Sequence, residues 1–326
     1  MDKLLKYKAS SGAVAYKIVP MKKIDRYVVS TAPTREILNK PEIFGFEFIK
    51  KLRCGVLETL KLFSQFSKYG DKNISVVHFL RGGLNFGLLN MLYDAYGFNR
   101  MYGSFITSQR YKKHENWFIK DDQYRKFALP DDATIFIGDV IATGTTLDNG
   151  LEILRQQFLA EGKNIRRMVM MTIGCGMAEK ILTKYHEMFK NNFDYEGTTL
   201  IYFEGRFLVP ENKEDFTVCI PGTDLIKKGA LLTPEFEKSQ AEKIIYPLER
   251  CVVYDVGARA YEYDVHISDV IEYWKKLSHS GQTLRKIYGE RWHADEKIPD
   301  TNAALKKICN TRINFLRGLK NGTKTV

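Results

Sequence analysis

Between residues 70 and 205, apolar residues fall into two alternating rhythms. Short runs at 74–79, 101–107, 134–138, 165–173 and 198–204 are rich in Val, Ile, Met and Phe. Apolar runs of this length fit strands covered on both faces. Between most of them, at 84–96, 145–161 and 177–190, apolar residues recur three and four apart, as in Leu147, Leu151 and Leu154, which predicts amphipathic helices. The alternation predicts a parallel α/β sheet, and in such sheets ligands bind beyond the carboxyl ends of the strands. Upstream, residues 1–40 look irregular or strand-like, and 44–66 predicts a helix leading into the first core strand. After 205 the pattern changes: Pro210, Pro221, Gly222, Gly229, Pro234 and Pro247 punctuate short segments ahead of a helix at 267–277 and a charged C-terminal portion. The chain thus divides into an N-terminal flank (1–69), a core (70–205) and a C-terminal region (206–326).

Two strand ends carry candidate chemistry. The run T-I-F-I-G-D-V-I-A-T-G-T-T-L at 134–147 is a buried strand, an acid at Asp139, a turn of small hydroxyl residues at Thr143, Gly144, Thr145 and Thr146, and then a helix. Unpaired N–H groups and the positive end of the helix dipole meet at such a turn and favour a phosphate. An acid beside an anion site suits another task, such as accepting hydrogen bonds from sugar hydroxyls. Upstream, the strand at 74–80 ends in Arg81, Gly82 and Gly83. Two glycines let backbone amides approach an anion, and an arginine adds charge or braces the loop. The connection from 108 to 127, S-Q-R-Y-K-K-H-E-N-W-F-I-K-D-D-Q-Y-R-K-F, is charged, aromatic and long, and connections of this length are usually functional lids or disordered.

These residues resemble the type I phosphoribosyltransferases, whose fingerprint is a hydrophobic strand, two adjacent acids, a few residues and T-G-x-T. Here it reads Ile135-Phe136-Ile137, Gly138-Asp139, Val140-Ile141-Ala142, Thr143-Gly144-Thr145-Thr146, with Gly138 in place of the first acid. The resemblance covers about residues 70–205. It implies a parallel-sheet core under a hood built from both flanks, and transfer of 5-phosphoribosyl from phosphoribosyl pyrophosphate (PRPP) with inversion and release of pyrophosphate. It further implies that Asp139 and the turn from Ala142 to Thr146 hold the ribose 5-phosphate, and that Arg81, Gly82 and Gly83 hold the pyrophosphate, often after a cis peptide. A mobile lid closes over PRPP in that family; Arg110, Lys112 and Lys113 are the candidates to meet pyrophosphate, with Tyr111 or His114 covering the site. Mg2+ is expected to arrive on PRPP itself rather than on a protein metal site. Ala142 stands where members that use 6-oxopurines usually carry an acid, which argues against that substrate class. The missing first acid is expected to weaken PRPP binding by roughly tenfold or more, since a hydrogen bond to a charged group contributes about 1.5–3 kcal/mol.

Composition narrows the partners. At 326 residues, the chain is long enough for one large domain or a core with an attachment. No apolar run approaches a membrane span and the start shows no signal-like segment, so a cytoplasmic protein is expected. Five widely spaced cysteines without a C-x-x-C pair read as reduced thiols. A net charge of +11 suits a polyphosphate ligand. The segment 301–326 holds Lys306, Lys307, Arg312, Arg317, Lys320 and Lys324 and no acid, with apolar residues interleaved. It predicts a helix that docks on the body, remains a solvated tail, or touches an anionic membrane surface or polyanionic partner. No nucleic-acid motif accompanies the charge, so nucleic acid is not the expected partner. Glu204, Asp224, Asp255 and Arg259 are polar residues at edges in the flank region, with structural roles the commoner outcome. The acceptor stays open between a nucleobase-like compound and a sugar or glycan, a homodimer is left open, and a PRPP-sensing regulator that binds nucleic acid or a protein is the alternative reading.

Overall fold

The computed structural model describes the chain except residues 1–2, 9–11, 20–22, 108, 114–115, 122–123, 213, 215, 252–255, 294 and 324–326; at 3–8, 109–113 and 116–121 it describes the backbone alone. The chain opens with β1 (Lys3–Lys8), β2 (Val14–Val19), β3 (Asp25–Ser30), α1 (Ala32–Asn39) and α2 (Gly45–Leu62). The central part follows as β4 (Ile74–Leu80), α3 (Leu88–Tyr96), β5 (Tyr102–Thr107), β6 (Gln109–Lys113), β7 (Asn116–Asp121), β8 (Arg125–Lys126), β9 (Ala133–Ile141), α4 (Thr145–Ala160), β10 (Ile165–Cys175), α5 (Met177–Asn192) and β11 (Gly197–Leu208). It ends with β12 (Ile226–Leu232), α6 (Pro234–Gln240), α7 (Ile245–Leu248), α8 (Val256–Tyr261), α9 (Tyr263–His279), α10 (Leu284–Arg291) and α11 (Asn302–Lys320).

The main sheet has the order β1-β2-β3-β11-β10-β9-β4-β5-β8, with β12 paired to the end of β11. From β3 to β5 every pairing is parallel. From β4 the chain crosses outward to β5 on one side, and then returns to β9 on the other. The carboxyl ends of β4 and β9 therefore flank the point where the strand order reverses, which is where open α/β sheets leave a crevice for ligands. The helices divide between the two faces accordingly. Leu147, Leu151, Leu154 and Phe158 of α4 and Leu182 and Phe189 of α5 pack with Ile135, Ile137 and Met170. On the other face, α2, α3 and α8–α11 pack with Phe136, Val169 and Met171. Adjacent residues of β9 thus feed opposite clusters, and its central run Ile135-Phe136-Ile137 is apolar because both faces are covered.

Two expectations change, and the open choice for the C-terminal segment is resolved. The first core helix begins at Leu88 rather than 84, because Gly87 (φ 57°) separates it from a 3-10 turn over Gly82–Phe86. Strands from the flanks join the core sheet: β3 pairs with β11, which itself runs through residue 205 to Leu208. The basic C-terminal segment docks as α11 against α9, burying Leu305, Cys309, Leu316 and Leu319, while Lys306, Lys307, Arg317 and Lys320 stay at least partly exposed. Its Arg312 is buried and bonds Glu42 at 2.8 Å as well as Glu249. All five cysteines are free thiols. Among the described residues, no helix is long and apolar enough to cross a membrane.

Two of the polar flank residues are structural. Arg259 on α8 is fully buried; it donates to the carbonyls of Ile43 (2.8 Å), Ile37 (2.8 Å) and Lys40 (2.9 Å), and its guanidinium lies 4.5 Å over the Phe48 ring. It closes the link between α8 and the N-terminal flank. Glu204 (φ 63°) sits in an irregularity of β11, fully buried. Its carboxylate accepts from Ser30 Oγ (2.6 Å), Thr31 N (2.9 Å), Thr233 Oγ1 (3.2 Å) and Thr34 Oγ1. Burial pushes this carboxyl up from 4.5 to about 7, outweighing the bonds from Ser30, Thr34 and Thr31 and the nearby Arg35. Asp255 lies outside the described residues.

The Glu204 shift has a sign that can be tested. With a folded value near 7 against 4.5, the folded state keeps a proton that the unfolded chain has released. Its contribution to stability is complete below about pH 4.5 and is lost as pH rises through 7. Denaturant titration of the native protein and Glu204→Gln should show the stability difference moving in favour of the variant by up to about 3 kcal/mol between pH 4.5 and 7.5. Glu249, raised to about 7 by its own burial, titrates in both proteins and cancels from the difference.

Candidate functional site

The loop after β9 ends at an uncapped helix N-terminus, a place where unpaired N–H groups favour anions. Gly144 (φ 77°) is the N-cap of α4 and offers no side-chain cap, so the first N–H groups of a 16-residue helix face outward from the sheet's carboxyl edge. A Cβ at Gly144 would lie 2.3 Å from Ile181 Cδ1 and 2.8 Å from Met177 Cγ, so the turn is clasped by α5 and only glycine fits. Thr143 and Thr145 place their hydroxyls 3.2 Å apart; both, with Thr146, are half-buried or deeper. Asp148, in the same first turn, is drawn to Lys184 on α5 at 2.8 Å. The Cys175 thiol donates to the Ala142 carbonyl at 3.0 Å, and burial raises its pKa, so it remains a thiol. Ala142 itself is half-buried against the core on the α2–α3 side.

The loop after β4 reaches the same place. The Leu80–Arg81 peptide is cis, the form that the resemblance implies just before the glycines. A Cβ on Gly82 would stand 2.9 Å from Asp139 Oδ1, and one on Gly83 would stand 3.1 Å from the Gly138 carbonyl and 3.4 Å from His78 Cα. The two glycines therefore lie directly on the end of β9. Asp139 is 8% exposed, and its Oδ1 accepts from the Val140 N–H at 2.9 Å. Below the loop, His78 is buried and stacked on Phe105; burial lowers its pKa against a hydrogen bond with the Gly83 backbone. Arg53 of α2 braces the loop from outside, donating to the carbonyls of Leu84 (3.2 Å) and Asn85 (3.4 Å), and buried Asn85 ties it to the Val256 carbonyl of α8 at 3.1 Å. Arg81 forms an ion pair with the carboxylate of Glu262.

Gly138, where the resembled family places its first acid, has no room for one. A Cβ there would lie 2.5 Å from Phe86 Cγ and 2.7 Å from Phe86 Cβ, and Phe86 is fully buried. The space is filled by a ring from the opposite loop, so the acid could not be restored by substitution at this position alone.

The flanks also close on the site. Gly222 lies over Thr143, a Cβ on it standing 3.6 Å from Thr143 Cγ2. Its turn is held by Asp224, which accepts from Ile220 N (2.8 Å) and pairs with buried Arg250 (2.6 Å). The connection predicted as a lid is a β6–β7 hairpin, with β7 beside α4. The side chains of Arg110, Tyr111, Lys112 and Lys113 lie outside the described residues, as does all of His114. Of the residues singled out in the sequence, Gly82 and Gly83 lie against the end of β9 that carries Asp139, and Thr143–Thr146 follow that strand; Phe86, Arg53, Asn85, Gly222 and Glu262 were not singled out as site residues. Each of these is defined by a contact distant in sequence, and none stands in a motif.

Fold and site together define an α/β protein with a mostly parallel sheet, in which the loops after β4 and β9 meet at the topological switch point. No family model matches the sequence, and no curated protein matches it. Among solved structures the chain is similar to a hypoxanthine phosphoribosyltransferase from Staphylococcus aureus (17% identity, 45% of this chain and 73% of that one, TM-score 0.27). It is also similar to a purine phosphoribosyltransferase from Pyrococcus horikoshii (15%, 47% and 87%, 0.27) and to a xanthine-guanine-hypoxanthine phosphoribosyltransferase from Helicobacter pylori (16%, 49% and 88%, 0.26). The fold is read from the strand order of the chain itself.

The close approach at Gly138 predicts a stability effect. Gly138→Ala should cost about 1–3 kcal/mol by overpacking, and less in a Phe86→Ala background, which removes the Cγ and Cδ1 that face the added methyl. Chemical denaturation of the two single variants and the double variant measures that coupling.

Proposed function

We propose that the chain is a phosphoribosyltransferase that moves 5-phosphoribosyl from PRPP to an acceptor of the nucleobase or sugar class. The observation that carries this reading is the contact of Gly82 with Asp139. It brings a glycine loop and a helix-N-terminal hydroxyl turn to one carboxylate at the switch point, the arrangement a ligand with two separated phosphate groups and a sugar between them requires. In this reading the N–H groups at the start of α4 and the hydroxyls of Thr143, Thr145 and Thr146 hold the 5-phosphate. The Asp139 carboxylate accepts from the ribose hydroxyls, and the backbone at Gly82 and Gly83 receives the pyrophosphate, with Arg110, Lys112 and Lys113 supplying charge from the hairpin. Fixing both ends of the ligand orients the anomeric carbon, so binding energy remote from the reacting bond serves the reaction.

The bond from that carbon to the pyrophosphate oxygen breaks, with its electron pair leaving on pyrophosphate; a bond to the acceptor forms on the opposite face, and the acceptor's proton passes to solvent. Asp139 favours the positive charge that develops on the sugar, while the loop amides favour the charge on the leaving group. Mg2+ would enter on PRPP, where it neutralises pyrophosphate oxygens. Asp139 suits such an ion, because magnesium bound to phosphates needs only one or two protein carboxylates; among the described residues no group of three or more His, Cys, Asp or Glu is placed to hold a metal. The flank layer around Gly222 and α8–α9 is the hood in this reading, and acceptor choice belongs to it. Ala142 supplies no base. The filled space at Gly138 favours a second reading, a PRPP-binding regulator.

Calorimetric titration of PRPP with Mg2+ tests the site. The native chain should bind, and Asp139→Asn should weaken binding roughly tenfold or more. Pyrophosphate released with an acceptor from a panel of bases and glycans supports the transferase; binding without release on any acceptor supports the regulator. Absence of PRPP binding by the native chain contradicts both.

A further inference from the structure

Two ties join the loop after β4 to the C-terminal flank helices α8 and α9, and they differ in kind. The first is buried and neutral: Asn85 donates its amide to the Val256 carbonyl, and both Asn85 and Val256 are buried. The second is charged and open: the Arg81 guanidinium meets Glu262, with the two side chains 58% and 39% exposed. Glu262 is held by its backbone at the corner between α8 and α9, where its N–H donates to the Ala258 carbonyl (2.8 Å) and its own carbonyl accepts from His266 N (3.0 Å). Its side chain does not cap α9. The carboxylate is thus presented to the loop from a fixed position without a part in helix structure.

A guanidinium recognises a carboxylate and a phosphate through the same fork of donors, and an exposed ion pair contributes so little that a better anion displaces it. From the reading of this loop as a pyrophosphate site, on which the inference rests, we propose that Glu262 is a positioning residue. It occupies Arg81 in the empty site, yields it to pyrophosphate when PRPP binds, and reclaims it as pyrophosphate leaves. Glu262 thereby lowers pyrophosphate affinity and speeds release of that product, while the buried Asn85 tie keeps the loop in place throughout. A purely structural ion pair would do the reverse, because its loss would loosen the loop and weaken the anion site.

The test is calorimetric titration of magnesium pyrophosphate into four full-length proteins: native, Glu262→Gln, Arg81→Ala and the double variant. Glu262→Gln should bind about twofold to fivefold more tightly than native, with an unchanged melting temperature. Arg81→Ala should bind more weakly, and the double variant should match Arg81→Ala. Unchanged or weaker binding by Glu262→Gln overturns the proposal. So does an effect of residue 262 that survives without Arg81, since it would then be long-range charge alone. If the native protein binds neither pyrophosphate nor PRPP, the reading of the loop fails, and the proposal with it; if it binds them and Glu262→Gln does not differ, the proposal alone fails.

Discussion

The site depends on the closeness of the turn at Gly82 to the carboxylate of Asp139. A side chain at residue 82 would enter the van der Waals shell of Oδ1 and displace the carboxylate, so glycine there keeps Asp139 in place where two loops from different crossovers meet. The reversal of strand order between β4 and β9 creates that crevice. The rest of the molecule holds its two walls. Arg53 and Asn85 fix the β4 loop from α2 and α8, while Ile181 and Met177 press on the turn at Gly144 from the opposite face.

The flanks are bound to the core by buried polar groups as well as by apolar contact. Glu204 joins β11 to the start of α1 and to Thr233 before α6, Arg259 joins α8 to the segment around Ile43, and Arg312 joins α11 to Glu42 and Glu249. A buried charge or polar group left without its partner is unfavourable, so each link specifies one placement of a flank element. The consequence for the site is that the turn carrying Gly222 and the corner carrying Glu262 approach the loops from set positions.

Where the sequence spoke plainly, the reason was local. The apolar runs that became β4 and β9, the hydroxyl turn and the spacing of Leu147, Leu151 and Leu154 in α4 are properties of neighbouring residues, and they suffice to place Asp139 and Thr143–Thr146 at a strand end. The irregular N-terminal stretch was harder. Its strands are short and complete a sheet whose other members lie far along the chain, as when β3 pairs with β11. Phe86 and Gly138 illustrate the limit most clearly. Each is unremarkable alone, and the absent acid reads as a loss until the ring is seen to fill its space. Glu262, an acid between two tyrosines, reads as a solvated surface until Arg81 is found against it.

The central claim is that the loops after β4 and β9 form a single site for one ligand. Hydrogen exchange followed by mass spectrometry, with and without PRPP and Mg2+, tests it directly. The amides of 81–86 and those of 143–147 should become protected together, over the same ligand concentrations. Protection of one segment without the other, or of neither at saturating ligand, would contradict the account.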